Sequence, residues 1–589
     1  MQSKHFFSDA GYLGLSALNS YTLTNPSLGF DPENKVVFRR DTDTRKPKVS
    51  IVTGGGSGHE PAFAGFVGHG VCDAAIAGTI FASPSTEQIR NAVLDRVPTE
   101  KGVLVIPMNY TGDVLNFGVA VEKANAAGVR AEFFVMGDDV SVGRKKGGKV
   151  GRRGIAGSVL IIKLAGALAE AGGNIDEIQG LLELARSNLV SVGSSLEHVH
   201  IPSRGESELD EVPDGHIELG MGIHNEAGSK RIKATLPEVV SIMLKQLLDQ
   251  NDPDRSFLKY DAGDEFVLLI NNLGGVSPLE IAGLTNEVYK HLQKDYSQLK
   301  IVRVIQGTFL TSLNGLGFSI SLLRLVDTGL GSGKSMLELL EAPSDAIGWT
   351  TAVSPSVWKR EYPPVEFKKT TEADTKPTSL KVEFSTLKKI LSAGIQRLIK
   401  AEPNITRYDS IVGDGDCGVG LRRGAEAVQA LLDHDKSLSS NNDVVKILER
   451  IVGVVEKTMD GTSGALYAIF LNSLVAGLRA QDAETKPVST TTWARALDHS
   501  VEAVGKYTPA QVGDRTMMDA LLPFCTTLQK GDVHAAAAAA EAGAEATKHM
   551  QANLGRTVYV GGEDEWLGQI PDPGAYGLSE FLQGIASAL

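Results

Sequence analysis

Two hydrophobic periods divide this chain. In its first 350 or so residues, short apolar runs stop abruptly at glycine-rich polar loops. Val49-Ser50-Ile51-Val52-Thr53 stops at Gly54-Gly55-Gly56-Ser57-Gly58-His59-Glu60-Pro61, and Val103-Leu104-Val105-Ile106 stops just before Asn109-Tyr110-Thr111-Gly112-Asp113. Phe133-Phe134-Val135-Met136 stops at Gly137-Asp138-Asp139, and Phe266-Val267-Leu268-Leu269-Ile270 at Asn271-Asn272-Leu273-Gly274-Gly275. Continuous β-branched and aromatic runs predict buried parallel strands alternating with helices, and ligands collect at the carboxyl ends of such strands. The Gly, His, Asp and Asn residues at these four ends point to one cleft.

The later part of the chain has helical spacing instead. Leu387, Ile390, Leu391, Ile395 and Leu398 form one apolar face, and similar patterns recur near 420–433, 443–458, 465–480, 490–505, 516–529, 534–550 and 578–588. They predict an all-α bundle or barrel of about eight helices. Between the two parts, Ser354 to Thr378 carries Pro355, Pro363, Pro364 and Pro377 among charged and Thr residues, as linkers do. The expected organisation is an α/β domain of two subdomains over 1–353, a linker over 354–378 and an all-helical domain over 379–589.

Charge narrows the partners. Against 58 Lys and Arg stand 71 Asp and Glu, a net charge of −13, which excludes nucleic acid or an anionic membrane surface as the main partner. An anionic substrate must then be held by local groups and metal. Cys72, Cys417 and Cys525 are too few for a disulfide framework and suit a reducing compartment. The N-terminal residues lack a long apolar stretch, and no apolar run reads as long enough to cross a bilayer. The expectation is a soluble, cytoplasmic protein.

Chemistry concentrates in Tyr408-Asp409-Ser410-Ile411-Val412-Gly413-Asp414-Gly415-Asp416-Cys417-Gly418. Asp409, Asp414 and Asp416 repel one another unless a cation neutralises them, and the glycines let the backbone fold around that cation. Hard oxygen ligands suit Mg²⁺, which completes its shell with water and phosphate oxygens. Taken alone, the segment reads equally as a solvated acidic turn; a calcium loop is excluded by the missing closing Glu. Asp460-Gly461-Thr462-Ser463-Gly464 precedes an apolar run, where free N–H groups and hydroxyls make either an anion site or an ordinary N-cap. Arg556 is either a phosphate partner or a surface ion-pair residue. Thr328-Gly329-Leu330-Gly331-Ser332-Gly333-Lys334-Ser335 looks like a phosphate-binding loop. It lacks the first glycine of that pattern, and Pro343 follows so soon that only a short helix fits, so it predicts a surface loop.

Over essentially its whole length the chain resembles the ATP-dependent dihydroxyacetone (glycerone) kinases of the fused type. GGGSGHEP at 54–61, NYTGDVLNFG at 109–118 and the GxGIH segment at 220–224 match the substrate domain of that family. VGDGDCG at 412–418, GTSGALY at 461–467, GDRTMMDAL at 513–521 and DPGA at 572–575 match its nucleotide domain. The resemblance implies phosphoryl transfer from ATP to dihydroxyacetone, with glyceraldehyde as a second substrate, by a homodimer. It implies two Mg²⁺ ions on Asp409, Asp414 and Asp416. Nucleotide contacts are implied at Cys417, Gly418, Val419, Gly420, Thr462, Ser463, Thr516, Met517, Arg556, Asp572, Pro573 and Gly574.

In the substrate domain, the resemblance implies that His224 holds the ketone as a hemiaminal, that Asp113 accepts the hydroxyl proton and that His59 assists proton transfer. Gly56, Ser57 and Gly58 bring backbone close to a three-carbon ligand. A neutral imidazole is a sound nucleophile for this purpose, and a carbonyl trap selects against glycerol. Without the family, each histidine reads more simply as structural. Three departures stand out: Met108 where relatives carry Lys, Asn225-Glu226-Ala227-Gly228 where they continue GEPG, and Asp460 before the GTSG segment. Two other functions fit the same motifs, a lyase that cyclises FAD to cyclic FMN and a non-catalytic triose-binding coregulator.

Overall fold

The computed structural model describes residues 4–41, 46–202, 211–350, 353–360, 375–439, 442–459, 461–482, 488–554, 556–559 and 566–589. It divides into two compact units, Met1–Val365 and Glu366–Leu589. Most of the expected linker and Asp460 lie outside the described residues.

Among the described residues, the first unit is α/β with two six-stranded sheets. The first comprises β1 (Leu28–Asp31), β2 (Val36–Arg39), β3 (Ser50–Ser57), β4 (Ala74–Ile80), β5 (Val103–Pro107) and β6 (Ala131–Phe133), in the order β1-β2-β4-β3-β5-β6. Strands β4, β3, β5 and β6 run parallel, with an antiparallel hairpin at the β1 edge. The second comprises β7 (Leu189–Ser195), β8 (Ile217–Leu219), β9 (Lys230–Ile232), β10 (Glu265–Asn272), β11 (Lys300–Gly307) and β12 (Gly317–Arg324), in the order β11-β10-β12-β7-β8-β9. Only β10 and β11 are parallel there.

Two expectations change. The Phe266–Ile270 run belongs to the second, largely antiparallel sheet, because a continuous apolar run reports burial on both faces and not the direction of the neighbours. The Phe133–Met136 run is a strand only as far as Phe133. Beyond it, Phe134 and Met136 donate single bonds to Val105 and Pro107.

Among the helices of this unit, α1 (Ala10–Thr24) and α2 (Thr111–Ala126) flank the first sheet, and α3 (Ser158–Glu170) is buried nearly all round. Helix α3 shares one core with Ile51, Leu104 and Ile106 of the first sheet and with Val267 and Leu269 of the second. The alternate residues Phe266, Leu268 and Ile270 face a separate core with α4 (Leu236–Leu248) and α5 (Pro278–Asp295). The phosphate-loop look-alike opens a helix of only six residues, Met336–Glu341, capped by Ser335 and Glu338.

The second unit is helical. Its helices of eleven residues or more, among the described residues, are α6 (Phe384–Val412), α7 (Cys417–His434), α8 (Val444–Thr458), α9 (Gly461–Arg479), α10 (Thr490–Val504), α11 (Met518–Leu528), α12 (Val533–Ala546) and α13 (Pro573–Ser587). They enclose an apolar cavity of about 480 Å³ lined by Leu391, Leu421, Ile451, Phe470, Leu474 and Phe524, among others. Helix α9 corrects the reading that no run could span a bilayer, being 19 residues long and apolar enough to do so. Here its Tyr467, Phe470, Leu471 and Leu474 line the cavity, which accounts for so apolar a helix being only partly buried.

Candidate active site

Three glycine-rich or polar turns of the first unit meet at two histidines. Strand β3 delivers Gly54 to Ser57, after which Gly58 turns at φ +98° and His59 follows. A Cβ on Gly56 would sit 2.8 Å from Ala82 N, and one on Gly58 2.8 Å from the Phe81 ring, so this loop is glycine because β4's exit packs on it. Ser57 is buried and its hydroxyl donates to Gly78 O at 2.9 Å, which makes it a tie within the sheet. The end of β10 and the loop after β11 complete the support. Asn271 accepts from Phe309 N and Leu310 N, and Thr311 N in turn donates to His59 O. Strand β10 therefore reaches the cleft through the 309–313 loop.

His59 is fully buried beneath the Phe81 ring, with ring centroids 5.2 Å apart. Its Nδ1 lies 2.8 Å from Thr311 O, and its Nε2 lies 3.1 Å from Nε2 of His224. Burial, followed by the nearby His224 charge, pushes the His59 imidazole down to about 3. Tyr110 stands edge-on to His224 with ring centroids 4.6 Å apart. Asp113, in the first turn of α2, is buried, and its Oδ1 has no hydrogen-bond partner among the described residues. Burial raises its carboxyl to about 6, although the Ser83 hydroxyl and His224 pull the other way. Asp113, His59 and His224 thus come together. A buried carboxylate oxygen without a partner costs free energy unless a ligand hydroxyl completes it.

Glu226 is the residue that motif reasoning passed over. Its Oε1 lies 3.0 Å from His224 Nδ1 and its Oε2 accepts from His224 N at 3.0 Å. Although its partial burial acts to raise it, the bonds and charge of His224, helped by Arg153, hold the Glu226 carboxyl at about 2. The turn behind His224 is pinned by Asn225, at φ +64°, whose amide exchanges two hydrogen bonds with the Val199 backbone. Asn tolerates that left-handed conformation, so this departure preserves the turn. Met108 is buried against Met136 and Gly154 in the core and has no access to the cleft as a polar contact. Ala227 is exposed.

In the second unit, Asp409 at the end of α6 and Asp414 and Asp416 in the following loop bring their ligand oxygens within 4.8 Å of one another. Gly415 turns at φ +80°, where a Cβ would sit 2.7 Å from Ser410 Oγ. Asp409 Oδ2 also accepts from Cys417 N at 2.9 Å, which anchors the start of α7. Two exposed carboxylates and one anchored carboxylate, all oxygen donors, fit a hard divalent cation.

The expected nucleotide residues gather around this loop. Cys417, Gly418, Val419 and Gly420 form the first turn of α7; Gly418 packs against Thr406, and Val419 is exposed. Thr462 and Ser463 open α9, and Cys417 Sγ lies 3.6 Å from Ser463 Oγ. Thr516 and Met517 precede α11 in a loop folded by Asp519, which accepts from Gly513 N and Thr516 N. Asp572 caps α13 through Ala575 N, followed by Pro573 and by Gly574, whose Cβ would touch Met517. Burial pushes Asp572 up to about 6; the Ala575 bond and Arg515 oppose this, while Asp519 and Asp409 add to it. The turn Arg556–Tyr559 reaches the same region through Thr557 Oγ1, which donates to Val412 O; the Arg556 side chain lies outside the described residues. Arg515 was not singled out by motif. It is buried over the Trp566 ring and donates to Thr547 O and Ile570 O, tying three segments behind Asp572.

The Dak1 domain matches residues 19–348 and the DAK2 domain residues 411–587. A dihydroxyacetone kinase of Pichia angusta is 42% identical over 588 residues, covering 96% of this chain and 95% of that protein. The chain belongs to the dihydroxyacetone kinase family. A second relative, a triokinase/FMN cyclase of Homo sapiens, is 36% identical over 605 residues, covering 100% of both chains. Among solved structures, the dihydroxyacetone kinase from C. freundii in complex with AMP-PNP and Mg²⁺ is 31% identical, with a TM-score of 0.63 and coverage of 100% of both chains. The family's two-part α/β and helical architecture is the one described above.

Proposed function

We propose that this chain transfers the γ-phosphate of Mg·ATP to a terminal hydroxyl of dihydroxyacetone, giving dihydroxyacetone phosphate and ADP, with glyceraldehyde as a second substrate. The observation that carries the reading is the buried Asp113 carboxylate, lacking a partner at Oδ1, beside the His59–His224 pair. In this reading His224 Nε2 adds to the carbonyl carbon and holds the ketone as a hemiaminal, His59 moves the proton that the carbonyl oxygen gains, and Asp113 accepts the proton of the terminal hydroxyl. Holding the triose covalently fixes its hydroxyl for in-line transfer and discriminates against glycerol, which offers no carbonyl.

On the helical unit, Asp409, Asp414 and Asp416 would hold two Mg²⁺ ions. Those ions neutralise triphosphate charge when bound. The free N–H groups at the starts of α7 and α9, with the Thr462 and Ser463 hydroxyls, receive phosphate oxygens. Thr516, Met517, Arg556, Asp572, Pro573 and Gly574 complete the nucleotide contacts. The kinase name of the Pichia angusta relative and the AMP-PNP and Mg²⁺ of the C. freundii structure support this division of labour. We place the substrate domain at 1–353, the linker at 354–378 and the nucleotide domain at 379–589. The working unit in this reading is a cytoplasmic homodimer, with a linker long enough for either in-chain or crossed pairing of its domains. Replacing His224 by Ala tests the trap: ketone phosphorylation falls by two orders of magnitude or more in this reading, roughly the worth of covalent positioning. Unchanged turnover removes the hemiaminal.

The FMN cyclase half of the human relative's name supports a second activity, cyclisation of FAD at the same metal-nucleotide site. Incubation with FAD and Mn²⁺ tests it through the appearance of cyclic FMN.

A further inference from the structure

The two histidines form the middle of a four-membered hydrogen-bonded chain whose ends can only accept. At one end Thr311 O lies 2.8 Å from His59 Nδ1, and at the other Glu226 Oε1 lies 3.0 Å from His224 Nδ1. A carbonyl and an ionised carboxylate have no proton to give, so both Nδ1 atoms carry hydrogen. Between the rings, the two Nε2 atoms lie 3.1 Å apart, a contact that needs one donor and one acceptor. Three protons are then distributed over four nitrogens, and the pair holds one more proton than two neutral imidazoles.

An ionised carboxylate and two aromatic rings surround that shared proton. Glu226 faces His224 from its own turn, with Arg153 behind it. Asp113 faces His224 from α2, and the Tyr110 and Phe81 rings stand edge-on to the imidazole. His59 is deeper, held neutral by burial and by the His224 charge. The extra proton therefore lies between His224 Nε2 and His59 Nε2, shared across the 3.1 Å contact. Motif matching gives Glu226 no part in the site, yet it is the acceptor that fixes this arrangement.

We propose that Glu226 is a positioning residue that loads the His59–His224 pair with one extra proton, and that this proton becomes the hydroxyl hydrogen of the trapped carbonyl. The inference rests on the hemiaminal reading above and deepens it. The steps balance without solvent. The shared proton passes to His59 Nε2, freeing the His224 Nε2 lone pair to form the new C–N bond. The carbonyl π pair moves to oxygen, which takes the proton back from His59. His59 ends neutral with Nδ1–H on Thr311 O, and His224 ends as an Nε2-alkylated imidazolium with Nδ1–H on Glu226. The pair carries one positive charge before and after, so Glu226 stays ionised and paired throughout.

Imidazole ¹⁵N shifts of ¹⁵N-histidine protein at pH 7 test this, with resonances assigned through His59→Asn and His224→Ala chains. The expected wild-type result is three protonated ring nitrogens and one bare nitrogen across the pair, and two of each in Glu226→Gln. Two of each in the wild type overturns the proposal. Addition of dihydroxyacetone labelled with ¹³C at C2 separates this from the underlying reading. A C2 resonance that stays in the ketone range defeats the hemiaminal itself, whereas trapping from a pair with two bare nitrogens defeats only the proton loading. In steady state, Glu226→Gln should raise KM for dihydroxyacetone roughly ten- to hundredfold, the worth of a charge-assisted hydrogen bond, with KM for ATP unchanged. Glu226→Asp should recover part of that loss. An unaltered ketone KM in Glu226→Gln also overturns the proposal, and the wild-type nitrogen count decides the matter if the variant does not fold.

Discussion

A Cβ on Gly222 would collide with Oε2 of Glu226 and stand 2.6 Å from Nη1 of Arg153. The second glycine of the GxGIH segment is thus the opening through which the Glu226 carboxylate reaches both the backbone and the ring of His224. Gly222→Ala should expel that carboxylate. The expected cost is about 1–3 kcal/mol of stability, as for other overpacked sites. A larger relative loss is expected in triose affinity, read by isothermal titration beside a thermal melt. Unchanged triose affinity would mean that the carboxylate is dispensable.

The metal loop gives a second prediction. Asp414 and Asp416 are exposed and share their oxygens with Asp409 within 4.8 Å. Asp414→Asn or Asp416→Asn should abolish ATP turnover while triose binding, which depends on the other unit, stays intact. Loss of triose binding in a folded variant would show that the two units do not divide the work in this way.

Acid pH supplies a third. Burial raises the Asp113 carboxyl to about 6, and a base must be ionised to accept a proton. Its ionised fraction falls as pH drops through that value. Triose phosphorylation should therefore decline below about pH 6 and approach a tenfold loss per unit, while being flat above it. Asp113→Asn should lose roughly 10²- to 10⁴-fold in kcat at neutral pH, the usual worth of a positioned base. A rate that holds constant down to pH 4 would contradict the assignment.

Much of this was legible from pattern, and the exceptions have physical causes. Helical spacing located the eight long helices because each buries one stripe, and Gly-rich strand ends located His59 and Asp113 because close backbone approach demands glycine. The antiparallel setting of β10 was hidden, since Phe266–Ile270 is buried on both faces whichever way its neighbours run. Glu226 was named only within the segment where relatives continue GEPG, and its bonds to His224 were unmarked. Its role depends on a tight turn set by Asn225 at φ +64° and on the space at Gly222, neither of which has a periodicity. Arg515 carries no mark of burial in the sequence and is buried because its donors meet backbone carbonyls at 547 and 570.

Crossed pairing of the two units in a dimer makes a fourth prediction. An Asp113→Asn chain and an Asp414→Asn chain, each inactive, should recover activity when mixed and allowed to exchange subunits. One hybrid site then joins an intact substrate domain to an intact nucleotide domain. If each chain serves itself, every site keeps one damaged half and mixing restores nothing. Exchange must be verified separately, by native mass spectrometry of differently labelled chains.

The central claim is that a carbonyl-bearing triose receives phosphate from Mg·ATP, with Asp113 and His224 on one unit and the Asp409, Asp414 and Asp416 loop on the other. The most direct measurement is ADP release, coupled to NADH oxidation, with dihydroxyacetone, glyceraldehyde and glycerol supplied side by side in Mg²⁺ buffer. The account predicts rapid ADP release with dihydroxyacetone, release with glyceraldehyde, and none above background with glycerol, all abolished by EDTA. Turnover of glycerol equal to that of dihydroxyacetone, or no turnover of any triose by folded protein, would contradict it.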